Sequence, residues 1–191
     1  AFPGTVVHYD PEPGNERATV MWIMHTSNAP TGSLFARTAE DGAWRNIADA
    51  LHRPVHSIEA DFDGDGSEEI VVNEFGHYTA GSLTLLIEDE TGSFQRRVLR
   101  DEPGSIGAEI LTTESGDGLP HILALNAQAR EEVTFYRNRG NLEFEAKTLL
   151  QRHPGFGYTQ LHLVDLDGDG VDEVVTVNGD NDAPVVGPIG D

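Results

Sequence analysis

The six residues Asp61-Phe62-Asp63-Gly64-Asp65-Gly66 return as Asp165-Leu166-Asp167-Gly168-Asp169-Gly170, and Thr113-Glu114-Ser115-Gly116-Asp117-Gly118 is a decayed copy midway between them. The steps from 61 to 113 and from 113 to 165 are both 52 residues. The asparagine that ends the apolar run behind each later loop keeps step, as Asn126 and Asn178. One step earlier, Tyr9-Asp10-Pro11-Glu12-Pro13-Gly14 keeps only its last glycine in phase. Such a chain reuses one supersecondary unit, each copy burying its apolar face against the next.

Within each clearer unit a short apolar segment runs into the loop: Val55 to Ala60, Ala108 to Leu111, Leu161 to Val164. A second leaves it: Ile70-Val71-Val72, Ile122 to Leu125, Val174 to Val177. Ser82 to Ile87 and Phe94 to Leu99 follow as third and fourth. Their β-branched content and short alternations, bounded by Gly, Asn and Asp, predict strands. Four strands per repeat of about 50 residues is the size of a β-propeller blade. The expected fold is therefore all-β, with blades of four antiparallel strands and about three and a half blades present. Residues 1–191 form one partial propeller on this reading, with blades over 1–52, 53–104, 105–156 and an incomplete 157–191. An unclosed series leaves a strand edge unpaired at each end, so further blades from the same or another chain are expected to complete the ring.

The loops carry the clearest chemistry. Calcium takes about six to eight oxygen ligands, and Asp at positions 1, 3 and 5 of a tight loop aims three carboxylates at one centre. Glycines at positions 4 and 6 let the backbone curl around it. The expected ligands are Asp61, Asp63, Asp65, the carbonyl of Ser67 and Glu69 in one loop. In the other they are Asp165, Asp167, Asp169, the carbonyl of Val171 and Glu173. An EF-hand shares this opening but needs an acidic residue at position 12 and flanking helices; Val72 and Thr176 stand there, and the flanks read as strands. The middle loop keeps Asp117, with Thr113, Ser115 and His121 at the other ligand positions, and is expected to bind no ion. Two calcium sites are thus expected.

Composition excludes some partners. With 33 acidic against 12 basic residues and a formal net charge of −21, the chain is repelled by nucleic acid and by anionic membrane surfaces. No apolar run approaches the ~18 residues of a membrane span. The absence of cysteine excludes disulfides and thiolate metal sites. Ala1-Phe2-Pro3-Gly4 lacks the basic-then-apolar pattern of a secretory leader, so a leader is expected to have been removed or to lie upstream.

The segments DFDGDGSEEIVV and DLDGDGVDEVVTV resemble the FG-GAP or VCBS repeats of integrin-α-type propellers, over roughly Val55 to Asn181. The wording of the later units, such as FYRNRGNLEFE and LVDLDGDGVDE, is similar to bacterial exported VCBS-repeat proteins. In that family the loop joins the first two strands of a blade and binds calcium, normally with Asp at position 9, from which Glu69 and Glu173 depart. The resemblance implies a secreted, periplasmic or cell-surface protein, with adhesion-like binding in many members and an enzymatic role in some. The expected function is a calcium-stabilised exported module binding a protein or a glycan.

A second constellation falls on the face opposite the loops. His25 and His77 lie 52 residues apart, with His52 and His153 between blades and Asn73, Asn178, Asp180 and Asn181 alongside. Histidine there suits a transition metal or proton transfer, and the alternative function is a sugar-active enzyme of lyase or dehydratase type. The plainer reading is adopted: these are solvated loop histidines, and no residue is assigned as catalytic. Among aromatics near loops, Trp44, Tyr78 and Tyr158 are candidates for stacking on sugars, while Trp22 falls in a strand and reads as core.

Overall fold

The computed structural model describes residues 4–11, 15–21, 28–38, 42–112, 118–128 and 130–179. Every element among them is a strand. The first sheet holds β1 (Thr5–Asp10), β2 (Asn15–Met21), β3 (Gly32–Thr38) and β4 (Arg45–Leu51). The second holds β5 (Pro54–Ala60), β6 (Glu69–His77), β7 (Ala80–Glu88) and β8 (Phe94–Arg100). The third holds β9 (Ser105–Leu111), β10 (His121–Asn126), β11 (Glu131–Asn138) and β12 (Phe144–Arg152). The pair β13 (Tyr158–Val164) and β14 (Glu173–Asn178) makes a fourth. Strands lie in sequence order within each sheet and all pairs are antiparallel, as blades require. The sheets are blade-like and, among the described residues, do not close into a ring.

Period-two side-chain alternation explains why the second strand of each unit is apolar without interruption. In β6, Ile70 and Val72 join Leu34, Leu51 and Leu86 in the core between the first and second blades. Val71, between them in sequence, faces the other way and packs with Leu85, Ile122 and Ala124 against the third. In β10, Ile122 and Ala124 serve that same core, while Leu123 and Leu125 turn to Tyr158 and Leu161 of the two-stranded unit. Each such strand is a shared wall between two cores, so a one-residue slip would exchange two apolar faces at once.

The first strand of each later unit carries one extra residue against its neighbour. The register shifts between Pro54 and His56 in β5, and between Tyr158 and Gln160 in β13, positions 104 residues apart. In the third blade the shift falls opposite Leu125 and Asn126. A bulge at this point bends the strand as it enters from the inter-blade linker. Position 74, and its repeat at 126, holds that linker. Glu74 Oε2 accepts the His52 N–H at 2.6 Å, and Asn126 Nδ2 donates to the Pro103 carbonyl at 3.1 Å.

Candidate metal loops and the opposite face

The two Asp-rich loops span the gaps between β5 and β6 and between β13 and β14, and they superpose in their bonding. Asp61 accepts the Gly64 N–H at 2.7 Å and the Gly66 N–H at 3.0 Å; Asp165 accepts those of Gly168 and Gly170 at the same distances. Asp63 and Asp167 each accept the N–H two residues on at 3.2 Å. Gly64 and Gly168 sit at φ of 82° and 80°, the left-handed region that a side chain disfavours. Space is not the constraint: an added Cβ at Gly168 meets nothing within 4 Å.

Glu69 and Glu173, at position 9, close the loops. Glu69 Oε2 accepts the Phe62 N–H at 2.9 Å, and Glu173 Oε2 that of Leu166 at 2.8 Å. Glutamate, one methylene longer than the aspartate usual in the resemblance, thus reaches the position-2 amide. One oxygen each of Asp61, Asp63 and Glu69 lie within 4.8 Å of one another, as do those of Asp165, Asp167 and Glu173. Asp65 and Asp169 stand outside these groups; each accepts the N–H two residues on, from Ser67 at 2.7 Å and Val171 at 2.8 Å. Burial pushes the Glu69 carboxyl above its ordinary range, and the neighbouring Asp63, Asp65 and Asp61 carboxylates push the same way. Three convergent hard oxygens per loop are the donor chemistry of a divalent cation such as calcium.

The decayed loop differs. Thr113, Ser115 and Asp117 lie outside the described residues. His121, at its ninth position, is buried, and its Nδ1 accepts the Asn138 N–H at 3.2 Å. Asn138 in turn donates to the carbonyls of Phe62 at 2.6 Å and Pro120 at 3.0 Å, tying the first Asp-rich loop to the third blade.

Of the residues expected on the opposite face, His25, Asp180 and Asn181 lie outside the described residues, as does Trp22. The other histidines make separate local contacts. His52 Nδ1 lies 3.6 Å from Glu74 Oε2, a carboxylate that Ser82 and Thr84 also engage. His77 packs on Tyr78 with ring centroids 3.9 Å apart and planes tilted by 53°, and His153 Nδ1 accepts the Gly155 N–H at 3.1 Å. The two acidic loops are the groups of three or more metal-ligand side chains found among the described residues, and no histidine belongs to either. Of the aromatics, Tyr78 is exposed and Trp44 lies under the Arg37 guanidinium at 5.0 Å. Tyr158 corrects its expectation: it is buried beside Phe156 in the core of the third junction, unavailable to a sugar.

The repeat phase did not flag an ionic cluster at the junction of the second and third blades. Arg100, at the end of β8, donates to Glu102 Oε2 from Nε at 3.2 Å and Nη2 at 2.6 Å, and also contacts Glu132. Arg130 approaches Glu102 at 3.5 Å. The single periodic hint is that Arg152 stands 52 residues after Arg100, at the end of β12.

Residues 115–176 match a family model, that of the FG-GAP-like repeat. This segment is similar to an FG-GAP-like repeat. It runs from the decayed loop through β10, β11 and β12 and takes in the second Asp-rich loop with most of β14. The first Asp-rich loop, outside the match, has the same hydrogen-bond frame as the one inside it. No curated protein and no solved structure matches the chain. No helix among the described residues is long and apolar enough to cross a membrane.

Proposed function

We propose that this chain is a calcium-stabilised, exported module of propeller type that binds a protein or a glycan, with the two Asp-rich loops as its calcium sites. The observation that carries the reading is the pair of loops, 104 residues apart, each bringing three carboxylate oxygens within 4.8 Å inside one shared hydrogen-bond frame. Asp61, Asp63 and Glu69 would hold one ion and Asp165, Asp167 and Glu173 the other, with Asp65, Asp169 and the carbonyls of Ser67 and Val171 completing the shells. FG-GAP-like repeats often bind calcium and are typical of extracellular proteins, which supports both metal and location.

The ion's role is structural on this reading. Each loop joins the first two strands of a unit, and convergent carboxylates repel until a cation neutralises them. Weak sites with Kd of about 10⁻⁴–10⁻³ M suffice outside cells, where calcium is plentiful. Thermal unfolding with calcium and with a chelator tests the proposal. Ligand at 100 times Kd adds about 2.7 kcal/mol per site, so melting should rise with calcium and fall on chelation. An unchanged melting temperature would defeat it.

A further inference from the structure

The junction of the second and third blades carries a wider groove than the first. At the first, a groove of about 240 Å³ runs beside the apolar core of Leu51, Leu86, Ile47 and Phe94, with Glu59, Glu68 and Glu88 in its lining. At the second, beside its apolar core, a groove of about 430 Å³ opens between the end of β8, the buried residues Glu132, Thr134 and Tyr136 of β11 and the exposed β12, within the size range of small-molecule sites. Alternation places Glu132, Thr134 and Tyr136 on one face of β11, and the register sets Thr148 opposite Thr134 on β12. Arg100 and Arg130 reach in from the strand end and the facing loop.

Its chemistry is charged donors and acceptors arranged in pairs. Arg100 is held by Glu102 and Glu132, with its Nη1 3.4 Å from Thr134 Oγ1, so guanidinium donors and carboxylate acceptors stand side by side in fixed orientation. Hydrogen bonding from Arg100 holds Glu102 below the usual carboxylate range, and burial pushes the Tyr136 phenol up beside Arg100. Two arginines face Asp101, Glu102 and Glu132, which leaves no positive excess for an anion, and the chain as a whole is strongly acidic. A cation would compete with arginines already in place. A neutral vicinal diol matches the pattern, because one hydroxyl donates to a carboxylate while its neighbour accepts from a guanidinium.

We propose that this groove binds a neutral glycosyl unit, with Arg130, Glu102 and Thr148 as its hydrogen-bonding groups. The assignment rests on the binding-module reading and selects glycan over protein as the partner; it does not depend on the calcium sites. Arg130 is half exposed and Thr148 lies at the groove wall, so Arg130→Ala and Thr148→Val change the site without emptying the core.

The test is a chemical-shift titration of the calcium-loaded protein with neutral trisaccharides of glucose, mannose, galactose and xylose, after its melting shift with calcium has been recorded on the same sample. At least one sugar should move resonances of Arg130, Thr134 and Thr148 together, and both variants should weaken that binding by about tenfold or more while melting like the parent. No shift with any of these sugars, or equal binding by the variants, would overturn the groove assignment. Shifts confined to other residues would also overturn it while sustaining the module reading. A response to galacturonate trimers alone would replace the neutral ligand by an acidic one. The calcium measurement scores independently of each outcome.

Discussion

Phe62 and Leu166 occupy the same position in the repeat, and their surroundings differ completely. Phe62 is fully buried, edge-on to Phe144, with its carbonyl bonded by Asn138; Leu166 is 67% exposed. Truncating a buried Phe costs about 3–5 kcal/mol, whereas surface changes stay within about 0.5 kcal/mol. Phe62→Ala should therefore lower the urea midpoint sharply, and Leu166→Ala should leave it nearly in place. Gly64 is a different case, because its cost is conformational: at a φ of 82°, Gly64→Ala should destabilise by about 1–2 kcal/mol in a denaturant titration, with no clash involved. Glu69→Gln keeps the side chain's length and its bond to the Phe62 amide while removing a charge. On the calcium reading it should abolish the calcium-dependent part of melting at the first loop and leave that of the second.

At the scale of elements, β6 and β10 have apolar contacts on both faces, and the pair β13–β14 has them mainly on one. Val164, Leu166, Val171, Val174 and Val177 are all exposed on the latter. Amide hydrogen exchange should accordingly be slowest in β6 and β10 and fastest in β14, since local opening follows the density of buried contacts. The first strands of their sheets, β1 and β5, bring a different sensitivity. His8 and His56 pack with centroids 4.6 Å apart and planes tilted by 53°, and burial pushes His56 down to about 4, with His8 and Arg17 adding to the effect against Asn73 and Asp10. Unfolded, the same ring takes its proton near pH 6.5. The unfolded chain therefore binds more protons between the two values, so the stability that the neutral ring permits is complete above about pH 6.5. It is lost as pH falls towards 4. The loss attributable to His56 is about 3 kcal/mol, and His56→Gln should flatten that limb of a stability-against-pH profile.

The whole molecule carries a formal net charge of −21, and two divalent ions would leave it strongly acidic. Self-repulsion of this size destabilises a compact state and is screened by salt, with a Debye length of about 10 Å at 0.1 M. Melting temperature should rise with sodium chloride even under chelation. The part due to calcium should appear as an additional shift at constant ionic strength that magnesium does not reproduce. Without that addition, screening alone would account for any stabilisation by calcium salts.

The sequence by itself determined the period, the strands and the loop geometry, because each is local. Asp-x-Asp-Gly-Asp-Gly dictates its own Asx bonds and left-handed glycines, and the unbroken apolar runs of β6 and β10 declare strands covered on both sides. Strand ends were less legible: β6 continues to His77, past the expected Val72, because pairing with β7 satisfies its polar end. What only the tertiary structure decided depends on neighbours that are not periodic. Tyr158 was drawn into a core by Phe156 and Leu161, Asp65 and Asp169 were turned to their own loop amides, and Arg100 met Glu132 across a junction. A repeat fixes what every unit shares, whereas a site between units is made from the residues in which they differ.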